Sequence, residues 1–222
     1  MTVRSDAPSP EVSVLIVDDH ATLTEAIELA LGAAPSPIVV HIADELGDDA
    51  VCRFADLRRP DVILLDLDLG CGSGGAHLVE ALSGAGHHVV LFTGATDDAV
   101  LGHALLAGAH GVIPKSAPFV TLLAAIDDAA NGRNVTRPAE YQSMVEAARR
   151  QRADDERRAG RIASLTPREA QVLERLSEGD TASEIALADY VAVATVRSQI
   201  RSILRKLDVS SQLAAVAIYR DR

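Results

Sequence analysis

From residue 12 to residue 131 the chain alternates two kinds of pattern. Short unbroken apolar runs occur at 12–17 (VSVLIV), 38–42 (IVVHI), 62–67 (VILLDL), 88–92 (HVVLF) and, more briefly, 111–113 (GVI). Between them the apolar positions fall at helical spacing, over 22–33, 46–57, 75–83, 97–107 and 118–131. A strand covered on both faces has no polar side to show, so it reads as a continuous apolar run. Strands that alternate with helices form a parallel sheet through right-handed crossovers. The pattern predicts an α/β unit over residues 10–131: a doubly wound, five-stranded parallel sheet.

The pattern changes at residue 132. Residues 132–160 are rich in Arg, Glu, Asp and Gln, with Tyr141, Met144 and Val145 as their main apolar members. Good helix formers without a full apolar stripe predict an exposed helical linker. From Leu165 onward the spacing is helical throughout. Thr166-Pro167-Arg168-Glu169 and Thr181-Ala182-Ser183-Glu184 have the form of capping boxes, the first with Pro at the first helical position, and Gly179 ends the first helix. A third helix carries Val196, Ile200, Ile203, Leu204 and Leu207 on one face, and a fourth runs from about Ser210 to Tyr219. Four short helices with tight turns predict a small all-α domain over 161–222, built on a helix-turn-helix.

Apolar residues make up 48% of the 222, enough for two small cores. No run approaches the ~18 apolar residues of a membrane span, and residues 1–11 lack the charged-then-apolar order of a signal peptide. Two cysteines, Cys52 and Cys71, are too few for a disulfide framework. These features predict a cytoplasmic protein with no membrane partner. The net charge of −11 argues against nucleic acid only on average. Up to Arg133, 6 Lys/Arg face 19 Asp/Glu, a balance of −13; from Asn134 onward, 15 basic and 13 acidic residues give +2. The asymmetry predicts two domains with different partners.

In parallel α/β sheets functional groups gather at the carboxyl ends of the strands. Those ends carry Asp18 and Asp19, then Asp66, then Thr93, then Lys115. Converging carboxylates repel one another, and a divalent cation relieves that cost; Mg²⁺ suits a few carboxylates with waters and phosphate oxygens. A carboxylate beside such an ion can attack a phosphoryl group, while an ammonium neutralises charge on the group transferred.

The segments Val17-Asp18-Asp19-His20, Pro60-Asp61-Val62-Ile63-Leu64-Leu65-Asp66-Leu67, Phe92-Thr93-Gly94 and Gly108-Ala109-His110-Gly111-Val112-Ile113-Pro114-Lys115 resemble the receiver domain of two-component response regulators. The resemblance implies a flavodoxin-like fold, Asp66 as phosphoacceptor, Thr93 as switch hydroxyl and Lys115 as charge partner. It implies Mg²⁺ held by Asp18, Asp19 and Asp66, with Asp68 standing where the family uses a backbone carbonyl. Two departures stand out: the family's Pro after the phosphoacceptor is absent from Asp66-Leu67-Asp68-Leu69-Gly70, and Val112 replaces its aromatic switch residue.

Rival readings fit less well. Gly70-x-Gly72-x-x-Gly75 matches a dinucleotide fingerprint, yet it follows the third strand and sets Asp66 and Asp68 against an incoming pyrophosphate. Asp66-x-Asp68 is similar to the nucleophile pair of haloacid-dehalogenase-type phosphatases, which place it after the first strand. His77, His87, His88, His103 and His110 show no metal-ligand spacing with cysteine, and Cys71 reads as an inert thiol.

On the third C-terminal helix Arg197, Arg201 and Arg205 lie opposite the apolar face, with Ser198 and Gln199 beside them. Such a face suits the major groove, where Arg contacts guanine edges and phosphates. The residues Leu165-Thr166-Pro167-Arg168-Glu169, Glu184-Ile185-Ala186, Thr195-Val196-Arg197 and Ile203-Leu204-Arg205-Lys206-Leu207 resemble the LuxR/NarL-type helix-turn-helix. The resemblance implies Thr195, Arg197, Ser198, Arg201, Arg205 and Lys206 as contacts to double-stranded DNA. Ala192 stands at the family's capping Ser, Gln199 at its common His and Asp189 at a buried Leu, so Tyr190 is expected to fill that core slot. Together the halves predict a regulator rather than an enzyme: a transcription factor switched by a histidine kinase, dimeric when active. The alternative is a receiver-like regulator that acts constitutively or through protein contacts, without phosphorylation.

Overall fold

Each of the five apolar runs forms a strand in the computed structural model, which describes residues 12–34, 38–43, 46–69 and 75–220. The strands are β1 (Val12–Val17), β2 (Ile38–Ile42), β3 (Val62–Leu65), β4 (Val89–Thr93) and β5 (Gly111–Pro114). They alternate with helices α1 (Ala21–Gly32), α2 (Asp48–Arg58), α3 (Gly75–Gly84), α4 (Asp98–Leu106) and α5 (Phe119–Ala130). The sheet order is β2-β1-β3-β4-β5 and every neighbouring pair is parallel.

Alternate strand residues sort the core into two layers. Leu15, Val17, Ile63, Leu65, Val89 and Leu91 meet Val51 and Ala55 of α2, Leu78 and Leu82 of α3 and Leu101 of α4. Val14, Ile16, Val62, Leu64, Val90 and Phe92 meet α1 and α5 through Ile27, Leu31, Leu122 and Ile126. The central strands β3 and β4 are buried at every position, which is why they show no polar alternation. β3 ends at Leu65, two residues short of its apolar run, and gives way to Asp66. The Asp66 N–H still donates to the Val17 carbonyl at 2.9 Å, tying the ends of β1 and β3 together. The chain reverses its winding between these two strands, where a doubly wound sheet opens a crevice.

The next helix, α6 (Pro138–Ala163), runs for 26 residues and corrects the expectation of an exposed linker. Val145 and Ala148 are buried, and Tyr141 and Met144 pack with Val145 against the first core layer. These four residues recur at helical spacing and give the first half of α6 a short apolar stripe, too brief to stand out among the charges that follow. The backbone of α6 comes close to α4 at Gly102. A Cβ on Gly102 would collide with the Met144 carbonyl and lie 2.9 Å from the Ala148 Cβ. The first compact unit accordingly extends to Arg149, beyond the expected edge at residue 131. Residues 149–160 are exposed, with Arg152–Glu156 and Arg157–Asp154 ion pairs along the helix.

The second unit, from Arg150, holds α7 (Pro167–Glu178), α8 (Ala182–Ala188), α9 (Val193–Leu207) and α10 (Gln212–Arg220). Both capping boxes form, on Thr166/Glu169 and Thr181/Glu184, and Gly179 closes α7 in the left-handed region at φ 105°. Val172, Leu173, Leu176, Ile185, Val196, Ile203, Leu207 and Tyr219 make its core. Tyr190 does not fill a core slot: it is 96% exposed, at φ 54°, in the turn between α8 and α9. Asp189 is instead held by ion pairs to Arg168 at 2.6 Å and Arg175 at 3.6 Å, so a charge network replaces the apolar plug expected there.

Gly102→Ala tests the seating of α6. Ala normally stabilises a helix by about 1 kcal/mol over Gly. Here the added methyl meets backbone, and we expect net destabilisation of about 1–3 kcal/mol in urea unfolding, with faster hydrogen exchange over residues 141–148.

Candidate functional site

The ends of β1 and β3 bring Asp18 and Asp66 together, and Lys115, one residue past β5, reaches between them. Its Nζ lies 2.7 Å from Asp18 Oδ2 and donates to Asp66 Oδ2 at 2.6 Å. The Lys115 N–H donates to the Thr93 carbonyl at 3.0 Å, fixing where the side chain begins. Burial works against the Lys115 charge, but its interactions with Asp18 and Asp66 more than offset this and hold its pKa above the ordinary value. Both Asp18 and Asp66 are buried. Asp66 Oδ1 is buried as well and, among the described residues, takes no hydrogen bond. A buried carboxylate oxygen without a partner costs free energy unless something else satisfies it.

Asp19 and His20 complete the group. Oxygen or nitrogen atoms of Asp18, Asp19, His20 and Asp66 lie within 4.8 Å of one another. Asp18 Oδ1 accepts from the His20 N–H at 2.9 Å, and the His20 carbonyl accepts from the Leu23 and Thr24 N–H groups at the start of α1. Three acids around a buried, unpartnered oxygen suit a hard divalent cation with oxygen ligands. The Asp68 carboxylate is not among them: it is exposed, and its part in the expected set is not borne by the side chain. His20 escaped the sequence reading, although its place directly after two acids was the available signal.

Thr93 ends β4, is buried, and its Oγ1 accepts from the Ala95 N–H at 3.1 Å. Beside it lies a cavity of about 480 Å³ lined by Thr93, Ala95, Val112, Lys115, Glu140 and Met144. Val112 lines this space without filling it. Gly70, Gly72 and Cys71 of the glycine-rich segment lie outside the described residues.

In the second unit α9 buries Val196, Ile203 and Leu207 and exposes Thr195, Arg197, Ser198, Arg201 and Arg205. Among the described residues the three arginines have no ion-pair or hydrogen-bond partner, unlike Arg161, Arg168 and Arg175 of the same unit. Lys206 differs. Its ammonium donates to Glu169 Oε2 at 2.6 Å and to the Ser164 carbonyl at 3.0 Å, so it belongs to the scaffold and not to the arginine face. Glu169 also accepts from Ser202 Oγ at 2.7 Å and from the Thr166 N–H at 2.8 Å, and so joins the start of α7 to α9. Ala192 precedes α9 without a side-chain cap, as its residue type dictates. Gln199 carries a buried Oε1 that takes no hydrogen bond among the described residues.

Comparison with known proteins bears on both units. Residues 14–127 match the family model for the response regulator receiver domain, and residues 163–219 match that for bacterial regulatory proteins of the luxR family. The probable transcriptional regulatory protein NarL of Mycobacterium tuberculosis is 32% identical over 214 residues, covering 95% of this chain and 94% of that protein. The transcriptional regulatory protein DesR of Bacillus subtilis is 28% identical over 211 residues, covering 95% and 98%. The crystal structure of a LuxR-family two-component response regulator from Aurantimonas sp. SI85-9A1 is 26% identical at a TM-score of 0.54, covering 61% of this chain and 96% of that one. No helix among the described residues is long and apolar enough to cross a membrane.

The Glu169 network carries a pH signature. Burial opposes its charge, but Lys206, Thr166 and Ser202 outweigh that and pull its pKa from 4.5 down to about 2. A pKa lowered on folding gives stability that is full above 4.5 and is lost as pH falls toward 2. Glu169→Gln should therefore weaken hydrogen-exchange protection of α9 by roughly 3 kcal/mol near neutrality, and the gap to wild type should close as pH approaches 2.

Proposed function

The chain belongs to the response regulators that join a receiver domain to a LuxR-type helix-turn-helix, and we propose that Asp66 is its phosphoacceptor and the α9 arginines its DNA-reading face. It is a response regulator transcription factor. The observation that carries the first assignment is the Asp66 carboxylate itself. One oxygen is tied to Lys115, and the other is buried without a hydrogen bond beside two further acids.

The acids fit Mg²⁺, with Asp18, Asp19 and Asp66 as its holders; bound there, the ion neutralises charge on the phosphoryl oxygens. The Asp66 carboxylate supplies the nucleophile. Its attack on phosphorus forms an acyl phosphate while the bond to the donor breaks, the donor being a phosphohistidine of a partner histidine kinase or a small acyl phosphate. Lys115, already charged and aimed at Asp66, stays in place to pair with the phosphoryl group. The Thr93 hydroxyl is held by the Ala95 N–H at the same end of the sheet and is the candidate to bond a phosphoryl oxygen. The Val112 side chain leaves the adjoining cavity open, which gives Thr93 room to move.

For double-stranded DNA, what supports the reading is three unpaired arginines and the Thr195 and Ser198 hydroxyls on one exposed face of a helix that follows a tight turn. A single four-helix unit makes few base contacts, so a homodimer on two half-sites is the active form proposed. A Lys206 contact to phosphate would require breaking its pair with Glu169 and is set aside.

Two measurements test these assignments. Incubation with acetyl phosphate and Mg²⁺ should add one phosphoryl group by intact mass to the wild type and none to Asp66→Asn, which keeps the shape but loses the nucleophile. Equal labelling of both would remove Asp66 from the role, and no labelling of either would favour a regulator that works without phosphorylation. Arg197→Ala and Arg201→Ala should each weaken specific DNA binding by about 1–3 kcal/mol without loss of helical signal; unchanged affinity and salt slope would place the reading face elsewhere.

A further inference from the structure

We propose that His20 is a ligand of the divalent-cation site and tilts its selectivity from magnesium toward manganese and the later first-row metals. The inference rests on the reading of Asp18, Asp19 and Asp66 as that site. The His20 ring presents Nδ1 to both acids of its own segment, 3.0 Å from Asp18 Oδ1 and 2.7 Å from Asp19 Oδ1. The same nitrogen belongs to the group whose candidate ligand atoms, Asp66 included, lie within 4.8 Å of one another. The backbone beneath is fixed: the His20 N–H binds Asp18, and its carbonyl takes the Thr24 hydroxyl at 3.1 Å as well as two N–H groups of α1. The ring therefore meets the acid cluster through Nδ1 from a hydrogen-bonded backbone corner, with 63% of its side chain exposed.

A ligand set is more than an acidic cluster when an atom in it lacks a partner, and among the described residues Asp66 Oδ1 is that atom. Ligands about 2.1 Å from an octahedral ion lie roughly 3 Å from their cis neighbours, which matches the spacings around Nδ1. A ring nitrogen coordinates through its lone pair, so Nδ1 as a ligand corresponds to the tautomer with its proton on Nε2. A nitrogen donor changes selectivity, because Mg²⁺ strongly prefers oxygen, whereas Mn²⁺, Co²⁺ and Zn²⁺ accept imidazole.

The test is metal binding by the full chain, read by calorimetry for Mg²⁺ and Mn²⁺ and by pulsed electron paramagnetic resonance of the Mn²⁺-loaded protein. Wild type should bind Mn²⁺ more tightly than Mg²⁺ and show nitrogen modulation from a coordinated imidazole. His20→Ala and His20→Asn should lose the modulation and weaken Mn²⁺ by about tenfold or more, while Mg²⁺ changes by less than about threefold. If both ions shift equally and no nitrogen signal is present in wild type, His20 only screens the acids and the proposal fails with the cation site intact. If wild type binds neither ion, or Asp19→Asn and Asp66→Asn leave binding unchanged, the cation-site reading itself is overturned and the proposal with it.

Discussion

Two buried carboxylates at the ends of adjacent strands cannot coexist without a cation, and the first unit is organised around that constraint. Asp18 and Asp66 meet because β1 and β3 are neighbours although they are not consecutive in sequence. Lys115 makes the meeting tolerable by sitting within 2.7 Å of both. Burying charge is costly unless it is paired, and breaking such a pair leaves an uncompensated ion that costs about 3–5 kcal/mol. The same balance leaves a reactive remainder. Lys115 reaches one oxygen of each acid and the His20 N–H takes Asp18 Oδ1, so among the described residues Asp66 Oδ1 is left over, and a group that is hungry for a partner in a fixed place is what group transfer needs.

The second unit solves a different problem with the same means. A recognition helix needs a bare polar face, so its anchorage must come from the opposite side. Glu169 begins as a capping residue for α7 and, through Ser202 and Lys206, also becomes the clamp on α9. One carboxylate thus sets a helix start and a helix orientation, and its depressed pKa reflects how many donors converge on it. Among the described residues the arginines have no partner, and it is a neighbouring Lys, not one of them, that is given to that clamp.

The sheet was legible because its central strands β3 and β4 are buried on both faces, and the others largely covered, so that each prints an unbroken apolar run. The helix starts at Thr166 and Thr181 were legible because a capping box needs particular residues at a fixed spacing. Asp18, Asp66 and Lys115 could be read from their places at strand ends, but the free oxygen on Asp66 could not, since it depends on which donors arrive in space. Lys206 looked like one more basic residue of α9. Only the fold shows that it points to the α7 side, because Glu169 lies 37 residues earlier in the chain. Tyr190 and Asp189 mislead for a related reason: an apolar slot was assumed, and arginines from α7 reach it first. The half-buried character of α6 was hidden because four apolar residues in two turns carry little weight among so many charges.

That helix has a mechanical consequence. Its first half is clamped where Gly102 lets the backbones approach, and from Ala148 it continues without a break for 15 residues to Ala163. At 1.5 Å per residue that stretch measures about 22 Å, and near its end Arg161 bonds the Leu207 carbonyl and the Asp208 carboxylate. How closely the clamped half can lie on α4 is set at Gly102, by the absence of a single methyl group.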